Sequence, residues 1–226
     1  MTEQERQKRL AAAAAVEEVR DGMVVGLGTG STAAFAVEML GERVREGLRI
    51  VGVATSERTA ERARSLNIPL ATLNDEPLLD LTIDGADEVG PELALVKGLG
   101  GALLREKLVA VASRRMIVVV DAVKLVDRLG RGVVPLEVVA FGVESTLGRL
   151  RGAGATAQPR RKGTEYFRTD EGNLIADCRF APIDDPGQLH ARLKAITGVV
   201  ETGLFVGIAS RAIAGGADGL TIIEAA

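Results

Sequence analysis

Histidine and cysteine are almost absent from this chain: each occurs once among 226 residues. Histidine is the usual general base and metal ligand near neutral pH. With only His190 available, metal-dependent hydrolases and histidine-relay nucleophile chemistry are argued against, and proton transfer must rest on carboxylates and lysines. His190 itself reads as a surface residue of a helix. The lone Cys178 cannot form an internal disulfide, which fits a reducing, cytoplasmic setting. Residues 1–9 are charged rather than apolar, so no secretory signal is expected. No apolar run approaches the roughly 20 residues of a membrane span, so no membrane partner is expected. An excess of one charge sign is also missing. The 28 basic and 31 acidic residues leave a net charge of −3, without the basic face that nucleic acid needs. The one local basic run, Arg160-Arg161-Lys162, has no interleaved aromatics and reads as a solvated face or a subunit contact.

What the chain does have is an ordinary globular balance, 46% hydrophobic and 26% charged, and length enough for one large domain or a domain plus a small lid. Patterning predicts a helix over 3–20, a strand over 23–27, a helix over 33–45, a strand over 49–54 and a helix over 57–66. Strands over 69–73 and 78–83, a helix over 102–113 and a strand over 116–120 follow. This alternation argues for a parallel sheet with helices on both faces, and the largely β-branched run 116–120 suits a strand buried on both sides. After about residue 131 the pattern changes to a strand over 136–141, a helix over 144–151, a Gly-, Arg- and Thr-rich interval over 152–172, a strand over 174–180, a helix over 186–196 and a strand over 199–202. The fold class is therefore α/β. A Rossmann-like parallel-sheet domain is expected over 1–130 plus 204–226, with a smaller α+β, ferredoxin-like lid over 131–203.

The chemistry-bearing stretches stand where strands end, which is where ligands bind in open α/β sheets. Gly28-Thr29-Gly30-Ser31-Thr32 links a strand to a helix. Its glycines expose backbone N–H groups, its helix start favours an anion, and Ser31 and Thr32 add hydroxyl donors. Read plainly it is a capped strand–helix turn. It holds Ser31 where a dinucleotide fingerprint has its third glycine, and it lacks the lysine of a P-loop, so a small phosphorylated ligand fits better than NAD or ATP. Thr55-Ser56-Glu57 repeats the theme after the second strand and reads as a helix cap with Glu57 in the first turn. Asp84-Gly85-Ala86-Asp87 sets two carboxylates in one turn, where each raises the other's pKa and both can hold sugar hydroxyls; alone, such a turn is common. Lys97-Gly98-Leu99-Gly100-Gly101 offers a cation followed by amides able to approach an oxyanion closely. Glu106 follows early in the next helix. At about 100° per residue, Leu104, Leu108 and Val111 share one face and Glu106 points nearly opposite, so it is expected outside the core behind that helix. Lys124 follows the strand 116–120 and could reach sugar or phosphate oxygens. Lys8 and Arg9 read as a solvated helix face, with phosphate contact the lesser alternative.

Taken in order, Gly28 to Thr32, Asp84 to Val89 and Lys97 to Lys107 resemble the A-type ribose-5-phosphate isomerases, and the likeness runs from the N-terminal helix to Gly203-Leu204-Phe205. The resemblance implies reversible conversion of D-ribose 5-phosphate to D-ribulose 5-phosphate in the non-oxidative pentose phosphate pathway, with no metal or organic cofactor. It implies Glu106 as the base acting through an enediolate, and Lys97 with the amides of Gly98, Leu99 and Gly100 as the stabilising group. Asp84, Gly85, Ala86 and Asp87 would hold the sugar hydroxyls, with one aspartate assisting ring opening. Thr29, Gly30, Ser31 and Thr32 would form the substrate loop, with Thr55-Ser56-Glu57 near the site and Lys124 a further contact. A sugar-phosphate partner and a homodimer are implied, with a homotetramer as the other assembly. Leu99 and Gly101 depart from the family's more uniform glycine–alanine pattern but keep the Lys97-to-Glu106 spacing. The alternatives are a non-catalytic sugar-phosphate sensor, which would not need Lys97 or Glu106 and would carry a helix-turn-helix, and a CoA-transferase-like enzyme with a longer acyl groove.

Overall fold

The computed structural model describes residues 1–225. Along the chain, α1 (Glu3–Val16) leads to β1 (Val24–Leu27), α2 (Ser31–Arg45), β2 (Val51–Ala54), α3 (Glu57–Ser65) and β3 (Leu81–Asp84). Two short strands follow, β4 (Glu88–Val89) and β5 (Leu95–Val96), then α4 (Leu103–Val111) and β6 (Met116–Asp121). The second half contains β7 (Val134–Val138), α5 (Val143–Gly152), β8 (Thr156–Pro159), β9 (Arg161–Lys162), β10 (Glu165–Tyr166), β11 (Leu174–Arg179), α6 (Pro186–Lys194) and β12 (Val199–Thr202). The chain ends with β13 (Leu204–Phe205), β14 (Arg211–Gly216) and β15 (Gly219–Glu224).

A six-stranded sheet, ordered β15-β14-β6-β3-β1-β2, is parallel except for its edge strand β15. Every residue of β3 and β6 is buried, as expected where helices cover both faces. α1 starts at a capping box in which Thr2 and Glu5 satisfy each other's backbone N–H. Its alanine run places Ala11, Ala12, Ala15 and Val16 in the core, and these small side chains let the helix lie close to the sheet.

β7, α5, β8, β11, α6 and β12 form a separate unit, a four-stranded antiparallel sheet ordered β12-β7-β11-β8. That is the βαββαβ, ferredoxin-like arrangement. A three-stranded sheet, β13-β5-β4, joins the two parts. The α/β class with added antiparallel sheet therefore holds.

Several element expectations change. Residues 69–73 form no strand; only a Gly52–Leu70 bridge remains, because Thr72 and Asp75 close a turn through side-chain bonds. β14 has no counterpart in the patterning, since Ala212, Ala214, Gly215 and Gly216 are poor strand formers; its place beside β6 under α1 makes it a strand. α1 stops at Val16, short of residue 20. The interval 152–172 contains β8 and the β9–β10 hairpin.

Candidate active site

The carboxyl ends of β1, β3 and β6 open onto a cavity of about 140 Å³. Thr29, Gly30, Ser31, Thr32, Gly85, Ala86, Asp87, Lys97, Gly98, Gly100, Glu106 and Lys124 all line it. Two expected residues do not: Asp84 lies fully buried behind the lining, and the Leu99 side chain is exposed, although the Leu99 backbone N–H donates to Asp87 Oδ2 at 2.9 Å. Larger hollows of about 580, 550 and 460 Å³ lie elsewhere on the surface, and one of about 370 Å³ adjoins the outer side of Gly30 and Ser31. The smallest of these is the candidate because the buried titratable groups converge there.

Asp84 ends β3 fully buried. Its Oδ1 accepts from the N–H groups of Thr29 at 2.9 Å and Gly85 at 2.7 Å. Gly28 is required beside it, because a Cβ there would lie 2.3 Å from the same Oδ1. Lys97, 2% exposed, stands between two acids, with its Nζ 3.1 Å from Asp84 Oδ2 and 3.1 Å from Glu106 Oε1. It also donates to the Gly85 carbonyl, and the Phe205 ring lies 5.6 Å from it. Burial disfavours the ammonium, but the two carboxylates outweigh it and hold the Lys97 pKa above its ordinary value. Burial also pushes Asp84 up, against the pull of Lys97 and the two N–H donors.

Glu106 is 4% exposed, contrary to the expectation of an outward side chain. On α4 the buried positions are Leu103, Glu106, Lys107, Val109 and Ala110, whereas Leu108 and Val111 are 48% and 61% exposed. The hydropathy of the helix predicts the wrong face because Glu106 and Lys107 are held inside by ion pairs. Burial, reinforced by Asp84 and Asp87 against the opposing Lys97, pushes the Glu106 pKa up to about 8. Its Oε2 is buried without a hydrogen-bond partner among the described residues. One oxygen is thus anchored to Lys97 and the other is open to take a proton.

The Gly28-to-Thr32 loop is held from behind by hydroxyls. Thr29 Oγ1 lies 2.8 Å from Thr55 Oγ1, 2.8 Å from Ser56 Oγ and 3.0 Å from Thr59 Oγ1. This gives Thr55-Ser56 the supporting position expected of it. Gly30, at φ 120°, caps α2 without a side-chain bond, leaving the first helical N–H groups for an anion. Lys8 corrects its sequence reading: its Nζ donates to Ser31 Oγ at 3.0 Å and lies 3.8 Å from Asp121 Oδ2, while Arg9 is exposed. Gln4, one helical turn earlier, also lines the cavity; the i, i+4 spacing with Lys8 was the available signal. Asp121 is buried, with Oδ1 unpartnered among the described residues. Arg160 is not a solvated face either, since it bonds the carbonyls of Gly98 and Leu99. His190 is half-buried, its Nδ1 2.8 Å from Thr202 Oγ1.

Chemically, the site offers the free N–H groups of a helix start at one end and a buried Asp–Lys–Glu cluster at the other. A metal has no obvious seat, as no three His, Cys, Asp or Glu side chains converge among the described residues. The sequence model of the ribose 5-phosphate isomerase A (phosphoriboisomerase A) family matches residues 51–219. A ribose-5-phosphate isomerase A of Gloeobacter violaceus is 56% identical over 218 residues, 96% of this chain and 95% of its own. A D-ribose-5-phosphate isomerase solved in complex with phospho-erythronic acid superposes with a TM-score of 0.95 at 39% identity, covering 99% of this chain and 100% of that one. The enzyme of Plasmodium falciparum gives 0.93 at 39% identity, with 97% and 98% covered.

Proposed function

The chain belongs to the ribose 5-phosphate isomerase A family, and from that premise we propose how its residues divide the aldose–ketose conversion of D-ribose 5-phosphate to D-ribulose 5-phosphate. The α2 N-terminus, Ser31, Thr32, Lys8 and Lys124 take the phosphate. Asp84 and Asp87 hold the sugar hydroxyls, and one of them assists ring opening. Glu106 removes the C2 proton of the open-chain aldose through its unpartnered Oε2. The C2–H electrons form the C1–C2 double bond, and the carbonyl pair moves onto O1. Lys97, with the amides of Gly98 and Gly100, stabilises that enediolate. Glu106 then delivers its proton to C1, and the O2 proton passes to O1, leaving the ketone at C2. The observation that carries this reading is a single buried ammonium 3.1 Å from two carboxylates, one of which has an unpartnered oxygen at the cavity.

The magnitudes are adequate. A positioned base contributes about 10²–10⁴-fold, and an oxyanion donor about 10²–10³-fold. A carboxyl with a pKa raised to about 8 is a stronger base, once ionised, than one at its usual value, and Lys97 supplies the countercharge.

Residues 131–203 are further proposed as a lid and assembly unit on a catalytic domain of 1–130 plus 204–226. A homodimer, or a homotetramer built from it, is supported by Phe141, 93% exposed, and Val139, 41% exposed, on that unit. A cytoplasmic location is supported by the unpaired thiol of Cys178. No helix among the described residues is long and apolar enough to cross a membrane. The sensing alternative is not favoured, since the relatives carry the isomerase name over nearly their full length.

The test is conversion of ribose 5-phosphate in EDTA by the wild type and by Glu106→Gln. Turnover that resists the chelator and collapses about 10²-fold or more in the variant, with ligand still bound, is the expected result. Wild-type-like turnover in Glu106→Gln would move the base elsewhere.

A further inference from the structure

The Lys97-to-Gly101 loop is gripped by a side chain of the four-stranded-sheet unit. Arg160, directly after β8, donates from Nη1 to the carbonyl oxygens of Gly98 at 3.0 Å and Leu99 at 2.9 Å. Its Nε and Nη2 go to the two carboxylate oxygens of Asp177 on β11, at 3.0 and 2.5 Å. The guanidinium also lies 5.8 Å from the centroid of the Phe167 ring. That ring stands where a Cβ on Gly101 would approach to 2.4 Å. A bidentate carboxylate fixes the plane of a guanidinium, so the direction of both carbonyl bonds is set from the partner unit.

A trans peptide group is planar, and its C=O and N–H point in opposite directions. Pulling the Leu99 carbonyl toward Arg160 therefore turns the Gly100 N–H of the same plane away from Arg160. Gly100 lines the cavity, and its N–H has no acceptor among the described residues. Pulling the Gly98 carbonyl does the same for the Leu99 N–H, which Asp87 Oδ2 accepts. The segment is flanked by Gly98 at φ 106° and Gly101 at φ 82°. The Gly98 carbonyl is also held within the loop by the Gly101 N–H at 3.0 Å, whereas the Leu99 carbonyl has Arg160 as its donor among the described residues. Since glycine backbone does not by itself hold one peptide orientation, the aim of the Gly100 amide needs that outside constraint.

We propose that Arg160, braced by Asp177, is a positioning residue that aims the Gly100 amide at the enediolate oxygen and the Leu99 amide at Asp87. This rests on the reading of the Lys97 loop as the enediolate site. Arg160 does not touch substrate; it makes the catalytic loop competent only when the second unit is seated against it. The link also couples docking of that unit to formation of the oxyanion site.

The test compares wild type with Arg160→Met, Arg160→Lys and Asp177→Asn. Readouts are kcat and KM for ribose 5-phosphate, and inhibition constants for inorganic phosphate and for a four-carbon phosphorylated aldonate whose carboxylate imitates the enediolate. Arg160→Met is expected to lose about 10²-fold in kcat, with KM changed by less than about threefold. Aldonate affinity should fall in parallel with kcat while phosphate inhibition stays constant. Arg160→Lys should fall between it and wild type. Asp177→Asn, which removes the charge and replaces one of the two acceptor oxygens by an NH2 donor at nearly constant size, breaks the bidentate brace and should repeat the kcat-selective loss. Unchanged kcat in Arg160→Met overturns the proposal. So does an equal loss of phosphate and aldonate affinity together with a lowered Tm, which marks general loss of structure. Turnover surviving in Glu106→Gln would instead overturn the underlying site reading, so the two failures are distinguishable.

Discussion

Glu106 is held in a site that resists its ionisation, and this shapes both rate and stability. Its carboxyl must be ionised to act as a base, so kcat/KM is expected to fall as pH drops below about 8, the pKa in the unliganded site. A pH–rate profile of kcat/KM whose acidic limb bends near 4–5 would contradict the buried-base reading. Stability runs the other way. Between the ordinary 4.5 and about 8, the unfolded chain releases this proton while the folded chain keeps it. Folding therefore weakens as pH rises through that window, by up to about 1.4 kcal/mol per pH unit, and levels off above it. Glu106→Gln, which mimics the protonated form, should escape this slope. Its Tm advantage over wild type is predicted to be larger at pH 8 than at pH 5, as thermal melts in matched buffers would show. The residue proposed as the base thus lowers the stability of the fold at the pH where it would act.

α4 and α1 place their side chains by different means. α4 presents Glu106 and Lys107 inward and Leu108 and Val111 outward, an arrangement that only specific ion pairs can hold against the hydrophobic preference. α1 depends on close approach. A Cβ on Gly215 of β14 would come within 2.0 Å of the Gln7 carbonyl oxygen on α1. Gly215→Ala must therefore push α1 away from the sheet and carry the neighbouring Lys8 off Ser31. An increased KM for ribose 5-phosphate and weaker inorganic phosphate inhibition are expected, with kcat changed less and stability lowered by about 1–3 kcal/mol, the usual cost of overpacking. Retention of wild-type KM in a folded Gly215→Ala enzyme would separate Lys8 from phosphate binding.

Across the whole molecule, the return segment from Glu201 to Phe205 is the junction between the two larger sheets. Lys107 Nζ donates to the carbonyls of Thr202 at 2.7 Å and Leu204 at 2.8 Å, and to Glu201 Oε1 at 2.9 Å. Between them, the Gly203 carbonyl accepts from Lys97 N at 2.8 Å and its N–H donates to the Pro135 carbonyl at 2.7 Å. The residues flanking the site thus also tie the antiparallel unit to the parallel sheet. Lys107→Met leaves two buried carbonyls without donors, at a cost of about 1–3 kcal/mol each. Urea denaturation should show a loss of roughly 2–6 kcal/mol. A midpoint equal to wild type would mean the junction is held by packing alone. Glu201 keeps Lys194 at 3.1 Å in that variant, so no carboxylate is left unpaired.

The α/β class was legible in the sequence because strand and helix periodicities alternate locally, and such short-range patterns need no tertiary information. The stretches Gly28-Thr29-Gly30-Ser31-Thr32 and Asp84-Gly85-Ala86-Asp87 were legible for the same reason, each contiguous and at an expected strand end, and Lys97-Gly98 was legible as a cation before a glycine-rich turn. The first two converge through the parallel order of β1 and β3, whereas Lys97 is brought to the cavity by β5 of the three-stranded sheet, which the sequence did not announce. What the sequence alone could not decide was orientation and distant pairing. The hydropathy of α4 points Glu106 outward, and only ion pairs with Lys97 across the fold turn it in. Lys8 and Arg160 look like solvated cations until α1 and β8 are packed against the loops they hold, 23 residues from Ser31 and 61 from Leu99. β14 lacks any strand signature and exists because β6 and α1 require a neighbour of small residues there. Local chemistry is written in adjacent residues; burial, charge pairing and the aim of a peptide group are set by what the folded chain brings beside them.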